Sequence, residues 1–277
     1  MMKETKTMFK FSLIFGDNPN LDPAKIAPGF EIVEVPVWIQ VDPLMTNAKW
    51  EAKKKEIASW KLPPIKMASH WLGEPCTTPD VDWDLLEFWS IRAFNRLDEL
   101  GVKTAGVYGL FFPKVKDYSE VRQMDQAIRY TNFLGDLAKK HNMMVALEPM
   151  ADLTTLWPTY LEGLAFAKRV GHPNVRIMAD LAYFLELNQP FEVIKEDPSY
   201  CLHVHIAGDG GSQPGVGDRE DIHKNLFRVL REVGYELAVS CACPWKSSDG
   251  SKEIDFAKET KKTLEYLHRL RAEVYAE

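Results

Sequence analysis

Three short apolar runs, MMVALEP at 143–149, VRIMADL at 175–181 and LHVHIAG at 202–208, decide how this chain of 277 residues is read. Each is rich in aliphatic or β-branched residues, and each gives way to loop chemistry: Pro149, Leu181 leading toward Asn188, and Gly208. Short apolar runs bounded in this way read as buried parallel strands. They end at or near a polar residue, namely Glu148, Asp180 and His205. Three consecutive strands therefore present two carboxylates and an imidazole at the same end. A divalent cation takes that mixture of oxygen and nitrogen donors, and neighbouring strand ends bring them to one point without strain.

Working outward, five further runs have the same character: FKFSLIF (9–15), EIVEVPV (31–37), PIKMASH (64–70), TAGVYGL (104–110) and ELAVSCA (236–242). Helical patterns separate them. Segment 83–100 carries Leu86, Trp89, Ala93, Leu97 and Leu100 on one face, with Asp82 placed to cap its start and Gly101 just past its end. Segments 121–140, 222–233 and 253–272 repeat the amphipathic spacing. The charged, aromatic stretch between Asp42 and Leu62 reads as the second helix or as a helical lid over the strand ends. Eight strands alternating with helices predict a closed α/β barrel, a single (β/α)8 TIM-barrel domain over 1–277. A doubly wound open sheet competes, but no G-x-G-x-x-G follows the first strand.

A chain of this length, 45% apolar, can bury a substantial core. Its 40 acidic and 34 basic residues give a formal charge of -6 without long blocks, against a general nucleic-acid binder. No basic amphipathic segment suits a membrane surface, and no run approaches the length that crosses a bilayer. Lysines before an apolar stretch at the N-terminus give the outline of a signal peptide. FKFSLIF is too short for its apolar region, so a first strand is the better reading. Cys76, Cys201, Cys241 and Cys243 lack a C-x-x-C pattern and point to reduced, buried thiols in a cytoplasmic protein.

Chemistry in such barrels sits at the C-terminal strand ends. Glu148 in a buried run needs a basic partner or a cation, and Asp180 has Arg176 four residues earlier as a structural alternative. His203 and His205 share strand parity, with His205 nearer the functional end. Lys66, Ala68 and His70 share a face of the third strand. His70 and Tyr108 are candidates to assist proton transfer, with a plain loop or packing role as the alternative. Trp38, Trp71, Trp157 and Trp245 follow strand ends, where indole faces beside polar groups hold sugar rings, although each could equally pack against a helix.

On ALEP around Glu148, HVHIAGD around His205, PGVGD at 214–218 and GYELAVSCAC, the chain resembles the xylose-isomerase-like sugar phosphate isomerase/epimerase superfamily. That superfamily includes ketose 3-epimerases, hydroxypyruvate isomerases, a keto-inositol dehydratase, catalytic subunits of C-glycoside deglycosidases and endonuclease IV. The resemblance implies that Glu148, Asp180 and His205 are three of four ligands to a divalent metal, commonly manganese, with magnesium, cobalt or zinc as alternatives. It also implies a small sugar or keto-sugar substrate, with Glu148 as both ligand and base. Two departures stand out: Ala242 falls where the family has a ligating and catalytic glutamate, and Tyr183 falls where it often has a histidine. The expected activity is that of an isomerase, epimerase or related lyase acting on a sugar or hydroxy-ketone through an enediolate-like intermediate; Ala242 counts against a two-carboxylate 3-epimerase and leaves a one-carboxylate reaction open, with Tyr183 as a substrate contact. The competing expectation is a degenerate barrel that binds a sugar or serves as a partner subunit. Homo-oligomerisation is left open.

Overall fold

Strand-forming runs that bury both faces need helices on one side and a filled interior on the other, and the chain builds both. The computed structural model describes residues 7–16, 21–69, 71 and 73–277. Eight strands form a closed parallel barrel in chain order: β1 Lys10–Ile14, β2 Ile32–Pro36, β3 Ile65–Ser69, β4 Thr104–Tyr108, β5 Met144–Glu148, β6 Val175–Asp180, β7 Cys201–Ile206 and β8 Ala238–Cys241. Closure comes from β8 pairing with β1, Ser240 lying opposite Ser12. Every run read as a strand is one.

Alternation divides each strand between two environments. Phe11, Leu13, Val33, Val35, Ala105, Val107, Val145, Leu147 and Ile177 belong to the continuous core shared with the helices. The opposite face fills the barrel. There Met67, Ala146 and Met178 form a separate apolar cluster, with Leu202 packed on it. Each of the first three precedes by two residues a polar group nearer the strand end: Ser69, Glu148 and Asp180. The cluster is thus a floor under a polar layer. Gly106 makes the floor possible, because a Cβ there would lie 2.9 Å from Met67 Cε and 3.2 Å from Ser69 Cβ.

Among the described residues seven α-helices surround the strands: α1 Asn47–Ser59, α2 Trp83–Glu99, α3 Glu120–Lys140, α4 Tyr160–Val170, α5 Leu181–Glu186, α6 Glu220–Glu232 and α7 Phe256–Ala276. The Asp82 carboxylate accepts from Leu85 N at 2.9 Å, and Gly101 takes φ +75° just past α2, as the sequence predicts. The stretch 42–62 is resolved in favour of an ordinary crossover helix. Trp50 of α1 donates its indole N–H to Glu99 of α2 at 3.1 Å, and the Arg96 guanidinium lies 5.2 Å from the Trp50 ring. The last helix starts three residues later than its periodicity suggests, because Asp255 caps it by accepting from Lys258 N at 3.1 Å. All four cysteines are buried. Among the described residues no helix is long and apolar enough to cross a membrane.

Candidate metal centre and its polar layer

Three adjacent strands deliver the predicted donors. Glu148 closes β5, Asp180 closes β6 and His205 lies one residue before the end of β7, directly opposite Asp180 in the register. His205 Nδ1 lies 3.3 Å from Glu148 Oε1 and 3.3 Å from Asp180 Oδ2. The donor atoms of all three residues fall within 4.8 Å of one another. Arg176 is not the partner of Asp180: its guanidinium donates to Val175 O and lies over the Tyr200 ring. Asp180 instead caps α5, its other oxygen accepting from Ala182 N at 2.7 Å.

A fourth ionisable group enters from the far side of the barrel. Glu34 on β2 is wholly buried, its Oε1 accepting from His205 Nε2 at 3.0 Å and its Oε2 from His203 Nε2 at 2.9 Å. The Ser69 hydroxyl donates to Oε1 as well. Sequence reasoning missed Glu34, although a signal was present. It is a carboxylate flanked by Val33 and Val35 inside EIVEVPV, the same kind of interruption that marked Glu148.

The electrostatics follow from burial and from these contacts. Burial alone would raise the Glu34 carboxyl, but His205 and His203 outweigh it and hold the group well below its ordinary range. Burial disfavours charge on His205, yet Glu34, Glu148 and Asp180 together raise it well above 6.5. His203, hydrogen-bonded to Glu34 alone and repelled by His205, is lowered, chiefly by burial. For Glu148 burial wins over His205, and its carboxyl rises to about 7.

The two clusters differ in their readiness for a cation. Around Glu34 every carboxylate oxygen already accepts from a protein donor. At the other cluster, Glu148 Oε2 is buried without a hydrogen-bond partner. A carboxylate accepts, so His205 spends its Nε2 hydrogen on Glu34 and turns Nδ1 toward two further carboxylates. Three electron-rich atoms converging in a buried place require a proton or a metal between them. Ligands sharing one ion at about 2.1 Å stand about 3.0–3.4 Å apart, the spacing between His205 Nδ1 and each of the two carboxylates. The residues present therefore fit a divalent metal at Glu148, Asp180 and His205.

The other predicted residues are distributed unevenly. Tyr108, half-buried at the end of β4, lies opposite Glu148 in the register. Tyr183, in the first turn of α5, is half-buried, and burial together with the Glu148 and Asp180 charges raises its phenol. His70 lies outside the described residues. Lys66 donates to Gly101 O and Ala68 packs in the helix-side core, so the face of β3 that meets the polar layer is that of Met67 and Ser69. Trp71 is buried, its indole donating to Tyr130 of α3 at 3.3 Å. Trp157 stacks on Phe166 of α4 at 3.9 Å. Trp245 is buried in the core, whereas Trp38, just beyond β2, is half exposed. Ala242 donates its backbone N–H to Ile206 O, and β8 brings Ser240 opposite His205, so no carboxylate comes from that strand.

The sequence matches the family described as the xylose isomerase-like TIM barrel over residues 27–270. A search of curated proteins returns no match. Solved structures superpose over nearly the whole length. D-psicose 3-epimerase from Clostridium cellulolyticum H10, crystallised with D-tagatose, aligns with TM-score 0.75 and 18% identity, covering 95% of this chain and 99% of that one. The apo form of 3-keto-D-glucoside 4-epimerase from E. coli aligns with TM-score 0.72 and 17% identity, covering 95% and 99%. L-Ribulose 3-epimerase gives TM-score 0.72 at 14% identity, covering 97% and 96%. At these identities the likeness is one of fold.

Proposed function

We propose, on the premise that this chain belongs to the xylose isomerase-like TIM-barrel family, that it is a divalent-metal-dependent sugar isomerase or lyase acting beside a substrate carbonyl. The observation that carries the reading is the convergence of Glu148, Asp180 and His205 with one carboxylate oxygen of Glu148 left unpartnered. When bound by these residues, a cation such as manganese would supply Lewis-acid polarisation of a carbonyl and an adjacent hydroxyl. Glu148, whose carboxyl burial raises to about 7 in the metal-free protein, is the group placed to take a proton from the neighbouring carbon. Tyr108 lies opposite Glu148 in the register, and Tyr183, whose phenol is raised by burial and by the Glu148 and Asp180 charges, stays a protonated donor. The solved neighbours named above act on ketoses and keto-sugars, which supports that substrate class for this chain.

Inverting a carbon requires proton transfer on both faces, and among the described residues the other carboxylates of the polar layer are Asp180, held in the same cluster as Glu148 and capping α5, and Glu34. Glu34 is sealed by Ser69, His203 and His205, while β8 contributes Ser240 and is followed by Ala242. A reaction that one carboxylate can complete, aldose–ketose isomerisation or loss of a β-substituent, fits this arrangement better than a two-carboxylate 3-epimerisation. Ala242 also favours a second reading, a barrel that binds a sugar without turning it over. Both are tested by incubating the manganese-loaded protein with a panel of ketoses and keto-cyclitols in D2O and following exchange beside the carbonyl. Exchange that falls at least about 100-fold in Glu148→Gln supports the enzyme. Exchange equal in both proteins would sink the role of Glu148, and none on any substrate would leave the binding reading.

A further inference from the structure

The two nitrogens of His205 face opposite ways along the barrel interior, Nδ1 to Glu148 and Asp180 at 3.3 Å and Nε2 to Glu34 at 3.0 Å. We propose that Glu34 is the positioning residue of the centre: its carboxylate fixes the tautomer and the ring plane of His205, so that Nδ1 is the ligating atom. This rests on the metal reading above and deepens it. Metal-bound imidazoles generally donate their second N–H to a carboxylate or carbonyl, which orients the ring and makes the ligating nitrogen more basic. Here that acceptor comes from β2, across the barrel from the three ligand strands.

The geometry distinguishes this role from two alternatives. As a metal ligand in its own right, within the cluster Glu34, His203 and His205, Glu34 would have to give up contacts it already makes. Its two oxygens accept from His205, His203 and Ser69, and no oxygen is left over. As a purely structural ion-pair partner it would need only one imidazole. Instead His203 and Ser69 hold the carboxylate from either side, and this fixes the oxygen that meets His205. The His203 and His205 rings stand edge to face, 5.2 Å apart at 87°, so the two N–H groups reach different oxygens of one carboxylate. Glu34 is thus immobilised before it immobilises His205.

The test compares the full-length protein with Glu34→Gln, which keeps a carbonyl acceptor but loses the charge, and Glu34→Met, which loses both at similar size. Mn2+ is titrated by electron paramagnetic resonance and Co2+ by its visible spectrum, with melting temperature measured alongside and Glu148→Gln as the ligand control. We expect one ion per chain, affinity about tenfold weaker in Glu34→Gln and about 100-fold weaker in Glu34→Met, and a shifted Co2+ spectrum in both. Wild-type affinity and spectrum in either folded Glu34 variant, alongside loss of binding in Glu148→Gln, would overturn the positioning role while leaving the metal reading intact. Two ions per chain would overturn it by making Glu34 a ligand. No binding by the unaltered protein would overturn both. Should neither Glu34 variant fold, nitrogen NMR of the Zn2+-loaded protein decides: a protonated Nε2 with metal-bound Nδ1 in His205 is expected, and the reverse would refute the proposal.

Discussion

His223 offers a measurement that depends on no metal. It lies on α6, wholly buried, with Nε2 3.0 Å from Ala207 O and Nδ1 2.7 Å from the Tyr266 hydroxyl of α7. A carbonyl only accepts, so Nε2 carries the proton and Nδ1 accepts from the tyrosine. The neutral ring is fully satisfied, and burial pushes its pKa from 6.5 to about 4. Because the folded state resists protonation, this histidine's contribution to stability is complete above pH 6.5. It is lost as pH falls toward 4, where the unfolded chain binds the extra proton. At about 1.36 kcal/mol per unit, the loss across that window is about 3 kcal/mol. Urea unfolding of the protein and of His223→Gln at pH 7 and pH 4.5 isolates it, since the other titrating groups are common to both. The variant should be less stable at pH 7 by about 1–2 kcal/mol for the altered hydrogen bonds. It should then lose about 2.5 kcal/mol less than the parent on going to pH 4.5. Parallel losses in the two proteins would refute the buried neutral imidazole.

Replacing Trp157, stacked on Phe166 and 4.3 Å from the Phe112 ring, by alanine should cost about 3–5 kcal/mol in urea unfolding. Trp38→Ala, at a half-exposed ring, should change stability by less than about 0.5 kcal/mol, so any rise in KM would reflect substrate contact. Gly106→Ala forces a methyl against Met67 and Ser69 and should destabilise by about 1–3 kcal/mol, with a weakened Mn2+ affinity if the floor supports the ligands. Mn2+ affinity should rise with pH by about tenfold per unit while His205 is protonated in the metal-free protein, and calorimetry in buffers of different ionisation enthalpy should show proton release on binding.

The convergence of Glu148, Asp180 and His205 was legible because each lies at or next to the end of an apolar run, a position where burial makes a charge costly unless chemistry requires it. Glu34 obeys the same physics but sits in the middle of its run, and its imidazole partners lie 169 and 171 residues away, a distance only the closed barrel bridges. Reading for strand ends passed over it. The tryptophans show the opposite problem. Nearness to a strand end puts Trp71 and Trp157 at the rim in sequence, but which way an indole turns depends on the helices, and both turn outward to α3 and α4. The start of α2 was legible from its capping side chain, Asp82, whereas the amphipathic spacing of α7 extends past the cap at Asp255, and α4 went unread despite the capping box at Thr159.

The charge of the polar layer links its composition to its purpose. Three carboxylates and two imidazoles share the barrel interior, all buried but the half-buried Asp180, and one imidazole, His203, is driven toward neutrality by burial. Anionic charge is therefore in excess. Without a metal the layer can reduce that excess only by holding protons, and the two groups raised toward protonation, His205 and Glu148, both belong to the ligand triad. Glu34, the carboxylate outside the triad, is shifted the other way and stays ionised. The two protonation sites thus lie where a dication would replace both protons at once, and the carboxylate left charged is the one that holds His205 in place. A barrel interior built only for packing would have no reason to place its surplus protons and its one fixed anion on opposite sides of the same imidazole.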